Sequence, residues 1–272
     1  MAERDVLAPF PDSWATTRKA LHGYLLALTA IPRAHAAPHP HWWHVGLEVR
    51  PNGLVTSPVG LPDGGSLTLG MDPGRHIAWL DTATEIHDEF PLDSGATASE
   101  FGETVLTAAI ALGVADTFDR ERFASGDDPG YDRAAAEVAW QTITAVHGVF
   151  GQHRSTLDGD PGPIHVWPHG FDMSFEWFGS KLTIGEDGSK APAQLNLGFY
   201  PGEEEPYFYS NPWPFDGRLV GTPLPSGAEW YTEGWNGTLL SYESLLGDED
   251  WAGRLLDYAA AVHRIARPTL MA

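Results

Sequence analysis

The sequence predicts an α+β fold, in which a mostly antiparallel sheet built from hairpins packs with about four helices. Short alternating segments joined by turn residues occur in groups, and these groups are separate from the helical segments. Because strands and helices do not alternate along the whole chain, a doubly wound nucleotide-binding fold is disfavoured. The phosphate-binding patterns G-x-G-x-x-G and G-x-x-x-x-G-K-[ST] are also absent.

The helices are predicted from apolar residues at helical spacing and from the residues at their ends. Asp12 or Ser13 can cap the first helix, and Pro32 is expected to end it. Thr97 and Glu100 have the spacing of a capping box, which opens the second helix. The predicted helices are 14–31, 97–113, 131–153 and, after a cap at Asp248, 249–266.

The strands are predicted from period-two alternation and from the turn residues between them. A first strand over 43–49 alternates apolar and polar residues, which puts His44 and Glu48 on one polar face. Asn52-Gly53 is a strong hairpin signal and joins this strand to the segment 54–56. The other predicted strands are 66–71, 76–80, 164–167, 171–178, 194–200 and 207–211.

The composition is that of a globular protein. Hydrophobic residues make up 42% of the chain and charged residues 19%, which provides enough apolar surface for a sizeable core. No long linker divides the 272 residues, so the chain is interpreted as a single domain, 1–272. Cys is absent, which excludes disulfides, thiolate chemistry and Cys-ligated zinc.

The charge balance restricts the partners. A formal net charge of −21 repels phosphate backbones and anionic lipids, so roles on nucleic acids and membrane surfaces are disfavoured. No stretch of about 18 apolar residues is present to span a membrane. The segment Met1–Asp5 lacks the pattern of an export signal, so the cytoplasm is the expected location. A small-molecule ligand is compatible with this charge, and the oligomeric state is open.

The first candidate site segment is His41-Trp42-Trp43-His44. Neutral imidazoles at short spacing ligate zinc or iron, and they are the commonest acids and bases near neutral pH. His41 and His44 are therefore candidate catalytic residues or metal ligands, and Trp43 is a candidate substrate contact. Alternatively, these Trp and His side chains only pack and hydrogen-bond where the strand begins.

The second candidate site segment is 163–172, where His165 and His169 share a face if the strand is continuous. A Pro and a Gly between His165 and Asp172 predict a break or a bulge. A carboxylate shortly after a His suits a metal site or an acid–base pair, so His165 and Asp172 are candidate catalytic residues. Alternatively, Asp172 anchors the turn through backbone N–H groups. Candidate metal ligands are His41, His44, His165, His169 and Asp172, and Trp167 is a candidate substrate contact.

Aromatic residues near proline-containing turns form a third element. Tyr200, Tyr207 and Tyr209 can wall a pocket for a sugar, an aromatic compound or an amide-bearing ligand. The alternative is that they pack on an edge strand. No spacing in the sequence matches a closed metal motif such as H-E-x-x-H, so a divalent metal (zinc or iron) is an option rather than a premise.

Four motifs occur in order over nearly the whole chain. They are Trp14 with Thr17 and Leu21-His22; His41 to Val45 with Asn52-Gly53-Leu54 and Thr56-Ser57-Pro58; Pro163 to Asp172; and Gly198 to Gly202 with Tyr207-Phe208-Tyr209 and Pro212. In these motifs the chain resembles a bacterial family classed only as a domain of unknown function, family 5996. That family has no established activity. The resemblance implies single-domain extent and a shared site near His22, His41, His44, His165 and Asp172, and it counts against His169 as an obligatory ligand.

Three functional hypotheses follow. The leading one is a small-molecule enzyme, metal-assisted or using His/Asp acid–base chemistry at the histidines and the aspartate named above. The second is a ligand-binding or sensor protein that uses the same pocket without turnover. The third is a structural or partner-binding protein in which the His and Trp side chains form a buried, hydrogen-bonded core.

Overall fold

The computed structural model describes residues 6–82, 86–127, 130–184, 188 and 190–272. The segment Met1–Asp5, on which the expectation about an export signal rests, lies outside the described residues. Within them the chain forms four α-helices and thirteen strands, which confirms the predicted α+β class. The helices are α1 (Trp14–His35), α2 (Ala98–Ala111), α3 (Arg133–Arg154) and α4 (Trp251–Leu270). None of the described helices is long and apolar enough to cross a membrane.

The strands are short in the first half of the chain and longer in the second. They are β1 (Leu47–Arg50), β2 (Gly53–Val55), β3 (Val59–Gly60), β4 (Ser66–Asp72), β5 (Ile77–Thr82), β6 (Ile86–Pro91), β7 (His165–Trp167), β8 (Asp172–Ile184), β9 (Lys190–Tyr200), β10 (Tyr207–Ser210), β11 (Pro212–Trp213), β12 (Glu229–Tyr231) and β13 (Gly237–Ser241).

The chain divides into two compact units, each assembled from segments that are separate in sequence. The N-terminal unit contains Phe10–Gln141 and His165–Asp172. The C-terminal unit contains Met1–Pro9, Thr142–Ile164 and Met173–Ala272. The single domain over 1–272 stays a prediction.

In the N-terminal unit the strands lie in the order β7-β1-β2-β4-β5-β6, and β3 pairs with β4. These pairs are antiparallel. The predicted Asn52-Gly53 hairpin is confirmed, with Arg50 opposite Gly53. Gly53 has φ +120°, and a Cβ there would lie 2.2 Å from the Met71 carbonyl oxygen, so only glycine fits this turn.

In the C-terminal unit the strands lie in the order β12-β13-β10-β9-β8, and β11 pairs with β9. These pairs are also antiparallel. Side chains alternate along each strand, so one face of this sheet is apolar. Phe175 of β8 and Phe208 of β10 lie on that face, with ring centroids 6.1 and 6.5 Å from the ring of Phe150 on α3.

The first predicted strand is wrong at its beginning. Trp43–Val45 form a 3₁₀ turn, and the strand begins only at Leu47. Trp42 adopts φ 60°, and its carbonyl accepts the Val45 N–H at 3.0 Å, which closes the turn. His44 and Glu48 therefore do not share one face of a strand.

The predicted helices are confirmed, with corrections at three ends. The last helix does not end at 266 but continues through Pro268 to Leu270. Pro32 does not end α1, because a proline in the last turn removes one N–H donor while its carbonyl still accepts the Ala36 N–H at 2.9 Å. At the start of α4, Asp250 occupies the cap position in place of Asp248. The Asp248 carboxylate accepts the Asp250 N–H at 2.9 Å and pairs with Arg254 at 2.9 Å.

The predicted capping box at the start of α2 is confirmed. The Glu100 N–H donates to Thr97 Oγ1 at 3.2 Å, and the Thr97 N–H donates to the Glu100 carboxylate at 2.9 Å. Two backbone donors at the helix end are thereby satisfied. This fixes the start of α2 at Ala98, which forms part of a cavity wall.

Candidate functional site

A cavity of about 400 Å³ lies in the N-terminal unit, which is within the range of small-molecule sites. Its walls come from α1, from the start of α2 and from the segment 121–127. The apolar part is Ala20, Gly23, Leu26, Ala98 and Phe123, and the polar part is Lys19, His22, Glu121, Arg122, Ser125 and Asp127, with Ala124 beside them.

His22 is the sequence-predicted catalytic residue that lines this cavity. Its Nε2 lies 2.8 Å from the Pro168 carbonyl oxygen. A carbonyl only accepts, so Nε2 carries the proton and, in the neutral ring, Nδ1 carries the lone pair. Burial lowers the pKa of His22 below its usual 6.5, partly opposed by the Pro168 carbonyl, which stabilises the charged form. The imidazole is therefore neutral at neutral pH.

The turn that holds His22 is built by the segment 167–172. The Phe171 N–H donates to the Trp167 carbonyl at 2.8 Å, and Phe171 adopts φ 53° while almost fully buried. Its ring lies parallel to the His22 imidazole at 6.3 Å between centroids. Arg18 donates to the Gly170 carbonyl at 2.7 Å and lies over the Phe171 ring. The break predicted at Pro168 and Gly170 is thus a tight turn clamped against α1.

Asp172 folds back over this turn. Its Oδ1 lies 2.6 Å from the position that a Cβ on Gly170 would occupy, so an alanine there would require the Asp172 carboxylate to move. The Asp172 carboxylate therefore lies against Gly170 in this turn. Its assignment as a catalytic group stays a prediction.

The histidines of the first segment lie close together, and their rings contact the backbone and the Trp side chain of the same loop. The His41 N–H donates to His39 Nδ1, and the His39 N–H donates to His44 Nδ1, each at 3.2 Å. Both acceptor rings must be unprotonated at Nδ1 to make these bonds. Burial is the main cause that lowers the pKa values of His41 and His44. The Trp43 ring stacks on His39 at 4.2 Å.

His165 lies beside this cluster on β7, opposite Glu48 in the antiparallel register. Its side chain is 4% exposed, and its Nδ1 has no hydrogen-bond partner among the described residues. Burial lowers its pKa to about 4; Glu48 opposes this shift and His39 adds to it. Trp167 packs edge-on against the ring at 5.5 Å. The chain that follows the first segment therefore meets the second at His165, with Gly46 against its ring and Glu48 opposite it in the register.

No group of three or more His, Asp or Glu side chains suited to a metal ion occurs in the described ranges. The predicted ligands have different surroundings. His41 and His44 are hydrogen-bonded within the loop 39–44. His165 is buried beside β1, and Asp172 lies against Gly170. His169 is exposed, with its ring 6.2 Å from that of Trp167. The geometry does not favour the predicted metal set.

The predicted tyrosines belong to the C-terminal unit. Tyr200 lies opposite Tyr207 in the register, with ring centroids 5.1 Å apart, and Tyr209 follows at 6.1 Å from Tyr207. A Cβ on Gly198 would lie 2.1 Å from Tyr209 Cζ, so this ring rests directly on β9. The rings pack along β9 and β10, which are interior strands rather than the edge strand of the alternative interpretation, and a substrate role for them stays a prediction.

Sequence reasoning missed His39 and every polar residue of the cavity wall except His22. His39 is hydrogen-bonded to His41 and His44, and its only signal in the sequence was its position two residues before His41. Glu121 and Arg122 line the cavity from a 3₁₀ turn, Arg120–Phe123, that carries no recognised motif. They adjoin His22 only through the fold.

We expect Gly46→Ala to lower the free energy of unfolding by about 1–3 kcal/mol. The added Cβ would lie 2.7 Å from His165 Cγ, and the buried ring has little room to move. Gly46 has φ −73°, so the substitution adds no backbone strain. Urea denaturation measures the loss. Gly60→Ala is the matched control, because nothing lies within 4 Å of its Cβ position; equal stability of the two variants would contradict the packing described for His165.

The fold and the cavity define an α+β protein with antiparallel strands and a neutral, oriented histidine at the wall of a small-molecule-sized cavity. The chain belongs to the family described as "Family of unknown function (DUF5996)", which matches residues 10–269. This confirms the resemblance seen in the sequence motifs. Neither the curated proteins nor the solved structures contain a significant match.

Proposed function

We propose that this protein is a small-molecule enzyme that binds its substrate in the cavity on α1 and uses His22 as its acid–base group. The observation that carries the proposal is the position of His22 at the wall of a 400 Å³ cavity, with its tautomer fixed by the Pro168 carbonyl. A neutral imidazole with an oriented N–H is the usual general base near neutral pH.

The chemistry follows from the hydrogen bond. In the proposed step, His22 accepts a substrate proton at Nδ1 while Nε2–H remains bonded to Pro168. The Pro168 carbonyl stabilises the imidazolium that forms, and Phe171 holds the ring plane. The proton returns to the product or to water. This is His acid–base chemistry without the metal, because the described residues do not gather a ligand set.

His39, His41, His44 and His165 are assigned a different role. The His39 and His44 rings accept backbone N–H groups, the His165 Nδ1 is buried, and the His39 and His41 rings pack on Trp43. These contacts favour the structural hypothesis for this cluster. In the proposal it supports β1 and β7 and thereby the turn that orients His22. We further propose a cytoplasmic location, in keeping with the absence of Cys.

The test is consumption of a metabolite by purified protein. A defined mixture of amino acids, organic acids, amines, sugars and sugar phosphates is incubated with the protein and followed by mass spectrometry. At least one compound should be consumed, and His22→Gln should slow its consumption by about 100-fold or more. Leu26→Trp, which fills the cavity, should abolish it.

Two matched variants serve as controls. His147→Gln removes another partly buried helical histidine, which does not line this cavity, and Leu182→Trp places the same large ring at an exposed position. Both should retain full activity. Consumption that survives Leu26→Trp would place the reaction elsewhere, and full activity of His22→Gln would remove the acid–base role. If no compound is consumed, the enzyme proposal fails.

A further inference from the structure

The cavity wall carries four charged side chains, two basic and two acidic. Lys19 and Asp127 form an ion pair at 2.7 Å. Glu121 and Arg122 are neighbours in the 3₁₀ turn, and within the described part of the chain neither makes an ion pair. Among the described residues, the cavity wall therefore carries one carboxylate and one guanidinium that no ion pair neutralises.

A ligand with only one sign of charge fits this wall poorly. A simple anion would meet Arg122 favourably but would also face Glu121, in a protein with a formal net charge of −21. A simple cation would meet Glu121 but would face Arg122. A ligand that carries both charges close together satisfies both groups and has no net charge to be repelled.

The apolar wall adds a second requirement. Leu26, Ala20, Ala98 and Phe123 line the same cavity as the charged pair. Burial of apolar ligand surface against such side chains contributes about 25 cal/mol per Å². A ligand that uses the whole cavity therefore has an apolar group attached to its charged end.

We propose that the ligand of this cavity is a small zwitterion with an apolar side chain, that is, a free α-amino acid or a close relative. Its carboxylate binds the Arg122 guanidinium, its ammonium group binds the Glu121 carboxylate, and its apolar group lies against Leu26 and Phe123. The inference rests on the proposed function, since it assigns the substrate class of the same cavity.

The experiment is isothermal titration calorimetry of the full chain with L-leucine, L-methionine and L-phenylalanine. At least one should bind. For the tightest of the three, removing one charge should weaken binding about tenfold or more, because each charge-assisted hydrogen bond contributes at least that much. For L-phenylalanine the one-charge analogues are N-acetyl-L-phenylalanine, which lacks the ammonium group, and 2-phenylethylamine, which lacks the carboxylate.

Each variant should weaken only those ligands that carry the opposite charge to the side chain removed, a crossed pattern that a merely structural effect would not produce. Glu121→Gln should weaken the amino acid about tenfold and leave the N-acetyl compound unchanged. Arg122→Gln should weaken both of these and leave 2-phenylethylamine unchanged. Arg75→Gln, which removes an exposed arginine that pairs with Glu89, is the control and should change nothing.

The outcomes separate this inference from the proposed function. If none of the three amino acids binds, or if the N-acetyl compound binds as tightly as the amino acid, the zwitterion assignment is overturned. Consumption of some other metabolite, lost in Leu26→Trp, would then still support the enzyme. If the amino acid binds in the crossed pattern but is not consumed, the ligand assignment stands and the enzyme proposal fails.

Discussion

Lowering the pH from 7.5 to 5 is expected to reduce the free energy of unfolding by about 2 kcal/mol for each of two buried histidines. His153 and His165 are 6% and 4% exposed, and burial lowers the pKa of each to about 4. In the unfolded chain both titrate near 6.5, so below that pH the unfolded state binds more protons. The stabilisation is complete above pH 6.5 and is lost as the pH falls towards 4.

Urea denaturation at a series of pH values measures this effect, and variants assign it. His165→Gln should remove about 2 kcal/mol of the pH dependence, and His153→Gln a similar amount. His169→Gln removes an exposed imidazole and should leave the pH dependence unchanged. A wild-type stability that is flat between pH 7.5 and 5 would show that these rings are not held neutral by burial.

Phe171→Ala is expected to cost about 3–5 kcal/mol, because it leaves a cavity where a 2% exposed ring packs against Trp14 and His22. It should also change His22, since the stacked ring is part of what shields the imidazole from water. The pKa of His22 should rise towards 6.5, as measured by NMR titration of its ring protons under conditions where the variant is folded.

The matched control is Phe208→Ala, which removes a fully buried ring from the C-terminal unit. It should cost a similar free energy of unfolding and leave the His22 titration unchanged. An unchanged His22 pKa in Phe171→Ala would mean that the turn of 167–172 orients the imidazole without help from the aromatic ring.

The sequence predicted those elements whose signals are local. The Thr97–Glu100 capping box and the Asn52-Gly53 hairpin depend on a few neighbouring residues, and both are present as expected. The first strand failed for a reason that is not local. Alternation in 43–49 is compatible with a strand, but φ 60° at Trp42 and the stacking of Trp43 on His39 favour a 3₁₀ turn.

The site was only partly predictable. His22 was identified as a candidate site residue through the family resemblance, and the segment 163–172 through its own pattern of His, Pro and Gly. The cavity itself joins α1, the start of α2 and the segment 121–127, which are far apart in sequence. Arg122 and Glu121 look like ordinary surface charges in the sequence, and only the fold places them on the wall of the cavity that His22 also lines.

The interleaving of the two units has a consequence for how the protein is made. The chain passes from one unit to the other at 9/10, 141/142, 164/165 and 172/173. During synthesis the N-terminal unit lacks β7 and the turn that holds His22 until residue 172 has left the ribosome. By then all of α3 and the segment after it have already emerged. The cavity wall can therefore form early, whereas the Pro168 carbonyl that orients His22 is made late. For the same reason, a cut at any single point of the chain leaves at least one of the two units incomplete.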